Sequence, residues 1–181
     1  MSLPNTISLA RLLSVPITVW LLLVDELMAA FILFVLAGVS DAVDGFIAKR
    51  YDNVTELGSY LDPIADKTLL VAVYITLGLQ DHLPLWLVIL VVSRDLLIIG
   101  GAVLLTLLGF SIQTAPLKIS KVNTAAQITL AAAVMGQIAL ELSLAIVVEL
   151  LILVVAATTV LSGGRYLVEW ARRVSNSENH K

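Results

Sequence analysis

Residues 27–50 read LMAAFILFVLAGVSDAVDGFIAKR, and this stretch decides the fold. It begins with an uncharged apolar run of 14 residues, Leu27 to Ser40. At 1.5 Å per residue such a helix is about 21 Å long, short of the roughly 30 Å hydrocarbon core that about 20 residues cross. A membrane span here must therefore take in Asp41-Ala42-Val43-Asp44 as well. Further along, the same deficit recurs in mirror image. The uncharged run Thr68 to Gln80 is preceded by Asp62-Pro63-Ile64-Ala65-Asp66. Both acid pairs are thus expected below the membrane surface, where an ionised carboxylate costs several kcal/mol unless it meets a wet cavity, a cation or a partner.

The remainder of the chain fits that setting. Of its 181 residues 59% are hydrophobic and 14% charged, and the mean hydropathy is +0.99. A soluble domain is nearer half apolar and a quarter charged. Six spans of about 20 residues leave about 60 for short loops. We expect an all-α polytopic membrane protein with helices near 6–24, 27–50, 62–80, 84–108, 120–140 and 143–165. The membrane domain would occupy residues 1–170, with a polar, frayed tail over 171–181. The opening MSLPNTISLAR lacks the basic start of a cleavable signal peptide and reads as part of the first, retained helix. With no cysteine, thiolate chemistry and disulfides are excluded. The loops near 25–26, 81–83 and 141–142 carry acids and no Lys or Arg. The basic residues flank the opposite ends, which the positive-inside rule makes cytoplasmic.

Six carboxylates lie between Asp41 and Asp66: Asp41, Asp44, Asp52, Glu56, Asp62 and Asp66. Asp52 and Glu56 read as solvated loop acids. Asp62 before Pro63 reads as a helix N-cap with proline at the first helical position. Asp41 and Asp44 are i,i+3 and share a helix face, as do Asp62 and Asp66 at i,i+4. The two helices are joined on one side by a loop of about a dozen residues, so four carboxylates can converge at one depth. Charges of one sign gathered so closely repel unless divalent cations are bound, and oxygen-only ligation favours Mg²⁺, Mn²⁺ or Ca²⁺ over zinc.

Written out, Asp41, Asp44, Gly45, Ala48, Lys49, Gly58, Asp62 and Asp66 follow the spacing D-x2-D-G-x2-A-R-x8-G-x3-D-x3-D, with Lys49 in place of the Arg. This resembles the signature of the CDP-alcohol phosphatidyltransferases, a family with six helices. Lys keeps the charge but loses the bidentate fork. The resemblance implies a homodimeric enzyme that passes the phosphatidyl group of CDP-diacylglycerol to an alcohol and releases CMP. It implies two divalent cations, Mg²⁺ or Mn²⁺, held by Asp41, Asp44, Asp62 and Asp66, with Asp66 as general base. It implies that Gly45, Ala48, Lys49 and Gly58 contact the cytidine diphosphate. Asn5 and Ser8, in the opening Pro4–Ser8 segment, and Thr55 resemble further nucleotide contacts.

The remaining intramembrane cations bear on the acceptor. Arg94, beside Asp95, sits about ten residues into its helix, Arg11 lies in the first helix, and Lys118 and Lys121 open the fifth. Lys118 can also snorkel to the interface. This cationic set suits an acceptor bearing a phosphate. Ser93-Arg94-Asp95-Leu-Leu-Ile-Ile and Ile119-Ser120-Lys121-Val-Asn123-Thr124-Ala-Ala-Gln127 look most like the CMP-forming cardiolipin synthases, whose acceptor is phosphatidylglycerol. The opening Leu3 to Arg11 is shared with phosphatidylglycerophosphate synthases, whose acceptor is glycerol 3-phosphate. We expect the former, at the cytoplasmic side of a bacterial inner membrane and with no nucleic-acid partner. A cation or proton transporter is the alternative of another class, since it too carries buried charges. Transporters usually show internal repeats, and none is visible.

Overall fold

Helices end close to Asp25, Asp81 and Glu141, where acids interrupt the apolar runs. The computed structural model gives α1 (Leu3–Leu23), α2 (Leu27–Tyr51), α3 (Glu56–Leu79), α4 (Leu85–Leu107), α5 (Lys118–Ala139) and α6 (Ala145–Glu178). It describes the backbone over residues 3–51, 56–107 and 118–178, and side chains over 9–40, 67–101, 103–104, 107, 118–170 and 172. Among the described residues the fold is all helical, with no strand.

Three helices close in the same way. Asp25, Asp81 and Glu141 take positive φ, at 60°, 59° and 52°. The amide following each donates to a carbonyl five residues back: Glu26 to Leu21 at 2.9 Å, His82 to Leu77 at 2.9 Å and Leu142 to Gln137 at 3.0 Å. This is the Schellman closure, usually made with glycine at the left-handed position. The acids carry a strain of roughly 1–2 kcal/mol there. All three are exposed. Pro84 precedes α4 and its carbonyl accepts from the Leu87 amide at 2.9 Å.

Two boundaries differ from expectation. α3 begins at Glu56, so Asp62 and Pro63 lie inside the helix and Asp62 is not its N-cap. Proline inside a helix forfeits one backbone hydrogen bond. A start at Pro63 would forfeit those of the whole segment before it. The expected dozen-residue loop shrinks accordingly to 52–55, outside the described residues. α6 likewise runs to Glu178, so the segment from 171 is helical over most of its length. Once a helix is nucleated each further residue adds a hydrogen bond, so a polar sequence can extend it.

The chain divides into two compact units. The first joins Met1–Leu83 to Ala131–Ala145. In it α1 packs on α2 and α3, burying Leu22, Ala30, Phe34, Val73, Tyr74 and Leu77. The Gln80 Nε2 donates to the Leu22 carbonyl at 2.7 Å, tying the end of α3 to that of α1. Gly136 lets α5 approach α2: a Cβ there would stand 3.3 Å from the Phe31 ring.

The second unit joins Pro84–Leu130 to Ile146–Lys181. Leu87, Val88, Val91, Leu130, Val155 and Tyr166 are buried in it. The Tyr166 and Trp170 rings pack at 5.9 Å and 54°. Gly101 of α4 is needed because a Cβ would overlap the Trp170 ring.

Large apolar side chains point outward in both units: Trp20 is 60% exposed, Leu79 69% and Ile146 75%. Meanwhile Arg11, Ser14, Thr18, Arg94, Asp95, Asn123 and Gln127 are buried. Among the described residues two segments, Lys118–Ala139 and Ala145–Trp170, are long and apolar enough to cross a membrane. Within the described side chains, α1, α2 and α3 contribute the apolar runs Leu9–Leu23, Leu27–Ser40 and Lys67–Leu79.

Candidate active site

The signature aspartates occupy helix rather than loop. Asp41 and Asp44 lie near the end of α2, Asp62 and Asp66 near the start of α3, on either side of the link 52–55. Counting back from Tyr51, Asp41 lies about 15 Å along its axis; counting forward from Glu56, so does Asp66. Asp44 and Asp62 lie about 10 Å from the same two ends. Helix register thus pairs Asp41 with Asp66 and Asp44 with Asp62 in distance from the link. Gly45, Ala48 and Lys49 are on α2 and Gly58 on α3. The side chains of these residues are outside the described set, as is Thr55 altogether. Asn5 and Ser8 fall in the first turns of α1, where the backbone alone is described. The donor set itself is chemically suited to a hard divalent cation: carboxylate oxygens, two per helix, on one face of each.

Arg11 is 4% exposed within the first unit. The Ser14 hydroxyl donates to its carbonyl at 2.6 Å, and Thr18 repeats the pattern onto the Ser14 carbonyl at 2.9 Å. Lys118 and Lys121 are exposed at the start of α5.

Arg94 is the best-defined of the expected residues. It is 5% exposed, and three helices of the second unit hold it. Its Nη1 meets the Asp95 carboxylate at 2.6 Å. Its Nη2 donates to the Ser120 hydroxyl of α5 at 2.7 Å and to the Ser162 hydroxyl of α6 at 2.5 Å. Its Nε is buried with no hydrogen-bond partner. One turn along the same seam, the Asn123 Oδ1 accepts from the Thr158 and Thr159 hydroxyls at 2.8 and 2.9 Å. The Asn123 Nδ2 is buried without a partner. Ser120, Asn123, Thr158, Thr159 and Ser162 are not among the residues expected from sequence. The signal was present: polar residues recur at helical spacing at Ser120, Asn123 and Gln127 and at Thr158, Thr159 and Ser162.

Residues 1–161 match the family model described as CDP-alcohol phosphatidyltransferase. The chain belongs to the CDP-alcohol phosphatidyltransferase family. Among its curated relatives, the cardiolipin synthase (CMP-forming) of Rattus norvegicus is 35% identical over 91% of this chain and 60% of its own length. A cardiolipin synthase (CMP-forming) / mitochondrial hydrolase fusion protein of Schizosaccharomyces pombe is 34% identical over 92% of this chain and 31% of its own length. The CDP-diacylglycerol--glycerol-3-phosphate 3-phosphatidyltransferase of Bacillus subtilis is 34% identical over 91% of this chain and 93% of its own length. The chain therefore spans only part of the first two relatives and nearly all of the third. The matched region of this family member holds every signature position and Arg94, and ends one residue before Ser162.

Proposed function

We propose that the chain transfers the phosphatidyl group of CDP-diacylglycerol to phosphatidylglycerol, forming cardiolipin and CMP. The family signature on α2 and α3 carries the phosphatidyl transfer, and the likeness of Ser93–Ile99 and Ile119–Gln127 to the cardiolipin synthases supports phosphatidylglycerol as the acceptor. The acceptor hydroxyl oxygen attacks the β-phosphorus, the bond from that phosphorus to CMP breaks, and CMP leaves with the electron pair. Asp66 takes the hydroxyl proton as the bond forms. Asp41, Asp44, Asp62 and Asp66 would hold two divalent cations, Mg²⁺ or Mn²⁺, which when bound neutralise charge on the diphosphate. Gly45, Ala48 and Gly58 leave room for the cytidine diphosphate, with Lys49, Asn5, Ser8 and Thr55 as further contacts. Arg11, Arg94, Lys118 and Lys121 bind the acceptor phosphate, and the unmet Nε donor of Arg94 supports that role for it.

Glycerol 3-phosphate is the second acceptor to weigh, because the Bacillus subtilis relative matched over nearly its whole length carries that name. Each acceptor offered alone with CDP-diacylglycerol, followed by identification of the lipid product, decides between them. Absence of CMP release with either would instead favour a transporter.

The same reading has all six helices crossing the inner membrane as an integral, homodimeric enzyme with its site at the cytoplasmic face. Helix lengths of 21 to 34 residues support this, as do the outward apolar side chains and the acid-closed ends opposite. Single cysteines introduced at residues 53 and 81 should label from opposite sides.

A further inference from the structure

Arg94 is a long side chain with many rotamers, and its burial alone would not fix its guanidinium. Three contacts do. Asp95 takes Nη1, and Ser120 and Ser162 take both hydrogens of Nη2. Ser162 is fully buried, whereas Ser120 is only partly so. Beside Ser162, Gly163 leaves the stem in ordinary contact, since a Cβ there would stand 3.6 Å from the Arg94 Cγ. α6 therefore meets Arg94 along its stem and at its head. A buried guanidinium donor left unmet is costly, and the Arg94 Nε is such a donor. One turn away Thr158 and Thr159 hold Asn123 by its oxygen, leaving its nitrogen unmet. On both rungs α6 hydroxyls fix the side chain and the unmet atom is a donor, which suits an anionic oxygen rather than a cation.

We propose that Ser162 is a positioning residue, which holds the Arg94 guanidinium in the orientation that meets the acceptor phosphate through Nε. This rests on the reading of Arg94 as an acceptor-binding residue. It adds that the affinity for acceptor is set in part from α6, by a hydroxyl that does not itself touch the acceptor.

The test is steady-state kinetics on the full chain with divalent cation, for Ser162→Ala, Ser162→Thr, Arg94→Ala and the Arg94→Ala/Ser162→Ala pair. Phosphatidylglycerol and glycerol 3-phosphate serve in turn as acceptor, and whichever gives product is followed. Ser162→Ala should raise the acceptor KM about tenfold, the loss of one hydrogen bond to a charged group. The CDP-diacylglycerol KM should stay put, and Ser162→Thr, which keeps the hydroxyl, should restore the acceptor KM to within about threefold. Because Ser162 acts through Arg94, the pair should be no worse for acceptor than Arg94→Ala alone. An unchanged acceptor KM in Ser162→Ala, with Arg94→Ala still impaired, overturns the positioning role and leaves the Arg94 reading standing. An unchanged acceptor KM in Arg94→Ala overturns both. Equal rises in both KM values with a lowered melting temperature, unrescued by Thr, reduce Ser162 to a packing contact and overturn the proposal.

Discussion

α2 and α3 carry four aspartates near the two ends that residues 52–55 join, with Lys49 and Arg50 as the cations within the signature stretch. The seam of α4, α5 and α6 is built otherwise: Arg94 faces Asp95 and neutral hydroxyls, and hydroxyls of α6 hold Asn123. Charge is nearly balanced there, and the Arg94 Nε and Asn123 Nδ2 donors are left unmet. In the function proposed above, divalent cations offset the charge of the acid pairs. The two regions thus differ in how their charge is met, and each side of that difference can be challenged.

The largest effect is expected from the acid side. Excess EDTA should abolish CMP release, and Mg²⁺ or Mn²⁺ should restore it. Full turnover in chelator would mean the carboxylates are neutralised from within, and the contrast would collapse. Next comes Asp66→Asn, which keeps the size and one oxygen while removing the base. It should lower kcat by about 10² or more with CDP-diacylglycerol still bound. Asp41→Asn should instead weaken metal and donor binding together. If Asp66→Asn loses donor binding as badly, Asp66 is chiefly a metal ligand.

On the seam side, Arg94→Ala removes the cation from a buried pair. We expect roughly 3 kcal/mol of lost stability, readable as a lower melting temperature in detergent, with the acceptor KM rising more than that of CDP-diacylglycerol. Equal rises would make Arg94 purely structural. Gly101→Ala drives a methyl into the Trp170 ring and should cost about 1–3 kcal/mol, partly recovered in Gly101→Ala/Trp170→Leu. The smallest change lies outside both regions: Glu141→Gly relieves a left-handed residue and should stabilise by about 1 kcal/mol. No gain there would mean that the strain is relieved elsewhere in the loop.

Much of the frame was legible in advance. Polar breaks at Asp25, Asp81 and Glu141, with the links between α2 and α3 and between α4 and α5, divide the apolar runs into six helices. The acid spacing was equally legible, since i,i+3 and i,i+4 positions share a face on any α-helix. The start of α3 was misjudged from Asp62-Pro63. An N-cap signal is worth about 0.5–2 kcal/mol, a local preference that continuing the helix can outweigh. Ser162 went unread for a different reason: 68 residues separate it from Arg94.

By itself, then, the sequence determined that this is a helical, strongly apolar chain with a signature of four aspartates on two consecutive helices. Those properties depend on composition and on the helical repeat, which no packing alters. Only the tertiary structure decided that Arg94 is held by Asp95, Ser120 and Ser162, and that Asn123 hangs from Thr158 and Thr159. A polar side chain inside an apolar helix must find a partner, but the period of its own helix fixes only the direction in which it points. Which helix answers is settled when α4, α5 and α6 come together.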